Sequence, residues 1–246
     1  MNLTWLRGYD FRPTTHHRFL ATQSTLIEKM ISITNQDEFD KIPLIHAWVH
    51  GWVLTRNKPP PQIQSYGYTI DLGQPDHLIR HVVEDYDRQN LYSLTTSLIR
   101  SGTWLKVCAD TEQVALGLSG VWIVQPPEYL MAMQLKEAEI EINTDFQLSI
   151  ETTDAVTIAM LMDKDGQLAA RGCVAQINGY AMFDQIVTEP RHQRKGLGRV
   201  IMATLSNLSV AQTSTTGVLV ATEDGLALYE KLGWALVSPM TAAVLA

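Results

Sequence analysis

The sequence predicts an α/β (α+β) protein: a mixed, mostly antiparallel sheet with flanking helices, preceded by a mainly helical N-terminal region. Three observations carry this. Between residues 24 and 100 apolar residues recur mainly at helical spacing. From about Leu118 onward short alternating or continuous apolar runs take over, punctuated by Asp-Gly and Asn-Gly turn signals. Near the end, a strand-like run passes through a glycine-spaced turn directly into a helix-like run. The change of character divides the chain into a helical region, 1–117, and a sheet-bearing region, 118–246.

The first helix is expected at 24–33, where Leu26, Ile27, Met30, Ile31 and Ile33 share a face. A second is expected over 37–54, with Phe39, Ile42, Ile45, Trp48, Val49, Trp52 and Val53 in near-helical order and Pro43 in its first turn. Pro59-Pro60-Pro61 ends it with a rigid extended spacer. Further helices are expected over 76–87, capped by Asp76 or Pro75, and over 89–100, stopping at Gly102. Strands follow at 129–135, 146–151, 155–162, 168–177 and 180–188. Asp163-Lys164-Asp165-Gly166 and Asn178-Gly179 join the last three as an antiparallel meander. A helix at 198–211, a strand at 218–221, a helix at 225–232 and a strand at 235–237 complete the order.

Composition narrows the class. With 46% hydrophobic and 18% charged residues, the 246-residue chain reads as an ordinary globular protein with enough length for a sizeable core. Its net charge of −7 and lack of a basic run argue against nucleic-acid binding. No apolar run approaches a bilayer span, and residues 1–10 lack a basic and apolar leader, so a cytoplasmic protein is expected. Cys108 and Cys173 lie far apart in neutral surroundings and read as lone buried thiols. Oligomeric state is open, a homodimer being one possibility.

Against that acidic background, Arg191, Arg194, Lys195 and Arg199 crowd the turn Gln193-Arg194-Lys195-Gly196-Leu197-Gly198. A glycine turn opening a helix presents consecutive backbone N–H groups, and both those donors and the helix dipole favour an anion. The third glycine of a dinucleotide fingerprint is replaced by Ile201, and the Gly-Lys-Ser/Thr of a P-loop is absent. What remains is Gln/Arg-x-x-Gly-x-Gly after a strand, with Pro190 upstream. It resembles the pyrophosphate-binding turn of the GNAT (Gcn5-related N-acetyltransferase) superfamily. A second segment, Ala227-Leu228-Tyr229-Glu230-Lys231-Leu232-Gly233-Trp234, is similar to that family's closing helix-to-strand segment, with Gly233 as a natural helix stop.

The resemblance covers 146–237, and it implies acetyl-CoA as acyl-donor cosubstrate and an amine, read as a small molecule, as acceptor. It places the pyrophosphate on the amides of Gln193, Arg194, Lys195, Gly196, Leu197 and Gly198, and the pantetheine arm along Ile186, Val187 and Thr188. Tyr229 matches the position that protonates the departing thiolate. Two carboxylates are candidate bases: Asp184, which shares strand parity with Ile186 and Thr188, and Glu223, which follows the strand at 218–221. Such domains place two helices between their first two strands, and 129–155 has no room for such a pair. Either the N-terminal half supplies them or the fold is abbreviated.

Other features have plainer readings. His46/His50 and His77/His81 are spaced i,i+4, but neither pair has a Glu partner motif or a third ligand, so no metal site is assigned. His192 reads as an anion contact or a solvent-facing ring, and Trp48 and Trp52 as packing residues. A non-catalytic acyl-CoA-binding module is the alternative function, and a helical interaction domain fused to a degenerate fold is a third.

Overall fold

The computed structural model describes residues 39–245; the helix expected at 24–33 lies outside them. The first element, α1 (Lys41–Thr55), begins where Asp40 accepts a hydrogen bond from the Ile42 N–H at 3.1 Å. Pro43 sits in its first turn, where a missing N–H costs nothing. Then come β1 (Gln62–Gln64), β2 (Gly67–Gln74), β3 (His77–Val83), α2 (Arg88–Ser97), β4 (Thr103–Val107), α3 (Thr111–Gly117) and β5 (Trp122–Val124). The second half adds β6 (Glu128–Gln134), β7 (Phe146–Thr153), β8 (Val156–Asp163), β9 (Leu168–Ile177), β10 (Tyr180–Thr188), α4 (Leu197–Ala211), β11 (Thr216–Thr222), α5 (Glu223–Lys231) and β12 (Ala235–Leu245).

The strands join in the order β1-β2-β3-β4-β12-β6-β11-β10-β9-β8-β7, with β5 on β12. Pairing is antiparallel except for β3 with β4 and β10 with β11. The 11-residue β12 makes the sheet continuous: Ala235 to Met240 pair with β6, and Thr241 to Val244 pair with β4. The described residues, 39–245, form one compact unit, with no division at residue 118. Residues 39–117 contribute three helices, and also four strands that their periodicity does not foretell.

Two differences from the expected elements have clear causes. Residues 76–87 form a strand, not a helix: His77 to Val83 lie between β2 and β4, and the run's β-branched Ile79, Val82 and Val83 suit that pleated setting. The last strand runs on to Leu245 instead of stopping at 237, with Pro239 close to where β12 changes partner.

Side-chain alternation on the central strands feeds two cores. Leu130 and Ala132 of β6, Met182 of β10 and Val218 of β11 meet Leu44, Ile45, Trp48 and Val49 of α1. Met131, Phe183, Leu219 and Ala221 face the other way, onto Leu197, Ile201, Met202 and Leu205 of α4. These strands are buried on both faces, which is why they read as nearly continuous apolar runs. Burying each large apolar side chain contributes roughly 1.5–3 kcal/mol. Gly51 lets α1 sit down closely, since a Cβ there would lie 2.6 Å from Met182 Cβ. Residues 135–145 hold no helix, and α1 covers that face of the sheet.

Candidate active site

β10 and β11 run side by side only briefly, with Tyr180 opposite Thr216, Ala181 opposite Gly217 and Met182 opposite Val218. Beyond Met182 the two part. β11 continues against β6 as far as Thr222, while β10 continues against β9 as far as Thr188. Parallel neighbours that separate leave a wedge whose β10 wall has backbone groups without a strand partner. A bulge interrupts β10 between Asp184 and Val187, with Gln185 at φ +53°.

At the end of that wall the chain turns. Pro190–His192 form a single 3-10 turn, Arg194 and Gly196 take positive φ (63° and 78°), and α4 starts at Leu197. The backbone N–H groups of Arg194, Lys195, Gly196, Leu197 and Gly198 have no acceptor among the described residues. Gly196 has open space where a Cβ would stand, and a Cβ on Gly198 would lie 3.5 Å from Thr188 Oγ1. The donors therefore form a cradle that an anion can approach closely, at a helix N-terminus and beside exposed Arg194, Lys195 and Arg199. That is the fit a pyrophosphate requires.

Asp163, at the end of β8, pins the turn. Its carboxylate accepts from His192 Nε2 at 3.1 Å and pairs with Arg191 at 3.3 Å. Lys195 Nζ lies 3.5 Å from His192 Nδ1, which leaves the ring proton on Nε2 facing Asp163. His192 is buried against the edge of Phe146, so it is a support of the turn and not a solvent-facing ring. The amides of Gln167 and Asp165, with His192 and Arg191, hold the Asp163 carboxyl below the usual carboxylate range against the opposing effect of desolvation.

α5 brings Tyr229 to the same core as Phe183 and Leu197, its ring packed edge-on to Trp234 with centroids 6.1 Å apart. The helix ends as expected at Gly233 (φ +89°): the Trp234 N–H reaches the Tyr229 carbonyl and the Gly233 N–H reaches that of Glu230, both at 3.0 Å. Burial pushes the Tyr229 phenol up to about 12, so it stays protonated through the neutral range.

The two candidate bases are placed differently. Asp184 points to the α1 side of the sheet, where it pairs with Arg56 and accepts from Thr55 Oγ1 at 2.8 Å. Its other oxygen accepts from Arg56 Nη2 at 3.1 Å and from the Gln185 N–H at 2.9 Å. Ile186 lies on the α4 side, near Ile201 and Leu205, so the expected common face of Asp184 and Ile186 is undone by the bulge at Gln185. Both Asp184 oxygens are engaged in anchoring α1. Glu223, in contrast, stands exposed at the start of α5, on the rim of a cavity of about 460 Å³.

Sequence reasoning missed the cations that line that cavity, Arg80 and Lys106. Behind the lining, the guanidinium groups of Arg56 and Arg80 stack on the Trp52 ring of α1, 4.5 and 4.2 Å from its centroid. Lys106 of β4 lies 5.4 Å from the Trp48 ring centroid and pairs with Glu128. Burial, with Arg80 and Arg56 nearby, pulls the Lys106 pKa well down. A cation inside an apolar strand run, as at Arg80 and Lys106, was the available signal. Of the histidine pairs, His46 meets the Tyr68 hydroxyl at 3.0 Å, and His77 and His81 lie on a strand, stacked on Trp104 and bonded to Tyr66 respectively. Among the described residues no three His, Cys, Asp or Glu side chains converge to hold a metal ion, and no helix is long and apolar enough to cross a membrane.

A splayed parallel strand pair ending in an anion cradle marks a mixed α/β domain that can hold an extended anionic ligand. Residues 156–236, about a third of the chain, match the acetyltransferase (GNAT) domain family, which agrees with the C-terminal placement of the resemblance. Among solved structures, the chain is similar to a GCN5-related N-acetyltransferase from Kribbella flavida, with 12% identity over 84% of this chain and 96% of that one at a TM-score of 0.61. It is also similar to a GCN5-related N-acetyltransferase from Sphaerobacter thermophilus, with 10% identity over 72% and 75% of the two chains at a TM-score of 0.52. A Drosophila protein gives 12% identity over 88% and 90% at 0.53. At these identities the likeness is one of fold. No curated protein matches the sequence.

Proposed function

We propose that the protein is an acetyl-CoA-dependent N-acetyltransferase acting on the primary amine of a small molecule. One observation carries this reading: five successive N–H groups, Arg194 to Gly198, without an acceptor among the described residues, at the head of α4 and at the end of the wedge. In it, these amides hold the pyrophosphate, and Arg194, Lys195 and Arg199 offset its charge. The free edge of β10 at Ile186, Val187 and Thr188 pairs with the pantetheine amides as an added strand would. The bound thioester supplies an activated acetyl group.

The chain's own residues then have modest tasks. A backbone N–H of the β10 wall polarises the thioester carbonyl. Glu223, directly or through water, takes the proton that an ammonium acceptor must lose before its nitrogen can attack. A C–N bond forms, the C–S bond breaks with its electron pair leaving on sulfur, the new amide nitrogen sheds its second proton to solvent, and Tyr229 hands its proton to that sulfur. Nitrogen thus loses two protons and solvent returns one to the phenol, so one proton is released per amide formed at a pH where the acceptor is an ammonium.

A non-catalytic acyl-CoA-binding module is the second reading, favoured by the full engagement of both Asp184 oxygens. Calorimetric titration with acetyl-CoA, followed by assay of free CoA across an amine panel, separates the two. Binding with turnover supports the transferase, binding without turnover the module, and no binding removes both.

A further inference from the structure

Arg80 is buried, at 7% exposure, yet has no carboxylate partner among the described residues. The neighbouring cations are matched: Arg56 by Asp184, and Lys106 by Glu128. Among the described residues the sole hydrogen bond of Arg80 goes from Nε to His77 Nε2 at 3.3 Å. Burial and neighbouring cations pull His77 down to about 3, so its ring is neutral and brings no compensating charge. Burial, with Arg56 nearby, also draws Arg80 down to about 9. A guanidinium that has lost its water without gaining an anion is costly, and five fixed donors make it a fork for a carboxylate.

That guanidinium borders the 460 Å³ cavity, with Lys106 beside it. The opposite rim is acidic, formed by Glu223 and Asp224 at the start of α5. The cavity opens at the C-terminal end of β11, the same end at which β10 and β11 part. A cationic floor and an acidic rim beside the wedge match a zwitterion held with its carboxylate inward and its ammonium toward the rim.

We propose that this cavity is the acceptor site, that Arg80 pairs with a carboxylate of the acceptor, and that the acceptor is therefore an amino acid or a close analogue. This rests on the transferase reading above for the fate of the ligand, though not for its binding. A guanidinium–carboxylate pair of this kind is worth about 1.5–3 kcal/mol, or roughly tenfold to 150-fold in affinity.

The test compares free amino acids, including β-alanine and 4-aminobutyrate, with their methyl esters, with the decarboxylated amines, and with phosphoethanolamine. Each is titrated calorimetrically into the full chain, with and without CoA, and each is assayed with acetyl-CoA. At least one free acid is expected to bind, and to be acetylated, tenfold or more better than its ester and its amine. Arg80→Gln should erase that preference and Arg80→Lys keep part of it, with acetyl-CoA affinity unchanged in both. If Arg80→Gln fails to fold, the acid-against-ester comparison on the wild type decides alone. Equal binding of acids and esters, no binding of any acid, or a preference for phosphoethanolamine overturns the inference. Failure of acetyl-CoA to bind, with acids still selected through Arg80, would instead remove the transferase reading and leave the carboxylate site standing.

Discussion

Arg56, just beyond the last turn of α1, closes on Asp184 of β10, two residues past the point where β10 leaves β11. The pair ties the covering helix to the lip of the wedge, and Thr55 adds a second tie at 2.8 Å. Asp184→Asn should therefore act mainly on stability. The side chains are 31% and 16% exposed, so solvent discounts the cost to about 1–3 kcal/mol, read as a lower denaturant midpoint. The pH profile of kcat should keep its shape. Loss of the acidic limb without loss of stability would make Asp184 the base after all.

The anion cradle is expected to separate two effects of its glycines. Gly196 holds φ at +78° in open space, so Gly196→Ala meets backbone strain alone and costs roughly 1–2 kcal/mol of stability. Gly198 has ordinary helical geometry, and its Cβ direction leads to Thr188 Oγ1 at 3.5 Å. Gly198→Val should fold normally and weaken acetyl-CoA more than about tenfold by crowding the amides. Equal acetyl-CoA affinity in Gly198→Val and wild type would move the pyrophosphate elsewhere.

Asp163 gives the turn a pH dependence whose sign is fixed. Its carboxyl is depressed in the folded protein, so the stabilisation is present above the unfolded carboxylate value of about 3.9 and is lost as pH falls through the lower, folded value. Asp163→Asn lacks this contribution. The gap in melting temperature between wild type and variant should narrow as pH falls below about 3.9 and close once the folded carboxyl is itself protonated. A gap that does not narrow at all in acid would show that Asp163 acts through shape rather than charge.

Legibility followed the range of the interactions. The β8–β9–β10 meander, the glycine turn, α4, β11 and α5 were readable because each is set by neighbours in sequence. Asn178 and Gly179, for instance, take the two positive φ angles, 48° and 86°, that a tight hairpin demands. β3 was not readable as a strand: its mixed burial removed the clean alternation, and its parallel partner β4 lies across α2. Asp184 was assigned to the wrong face because one bulge residue, Gln185, reverses every side chain after it. A cation within an apolar run sets Arg80 apart in the sequence but does not say what it is for. That depends on Trp52 of α1 and on the lack of a carboxylate partner among the described residues, both properties of the assembled sheet.

Tyr229 is the residue on which the proposed chemistry turns, and the structure isolates its hydroxyl from its ring. The ring is structural: it packs on Trp234 and the core that includes Phe183 and Leu197. The hydroxyl has no hydrogen-bond partner among the described residues and is not among the fully enclosed unsatisfied groups. Tyr229→Phe keeps the ring and so should leave the melting temperature and acetyl-CoA affinity unchanged. With a phenol pushed up to about 12, the group is a proton donor throughout the working range, and its own ionisation cannot produce an alkaline limb below about pH 11. A thiolate leaves readily, so the loss belongs at the low end of general-acid effects, about tenfold to 100-fold in kcat. The sharper reading comes from the leaving group: replacing the acetyl thioester of CoA by its oxygen ester, a poorer leaving group, should widen the gap between wild type and Tyr229→Phe. A gap of the same size for both donors would mean that Tyr229 packs the wedge and transfers no proton.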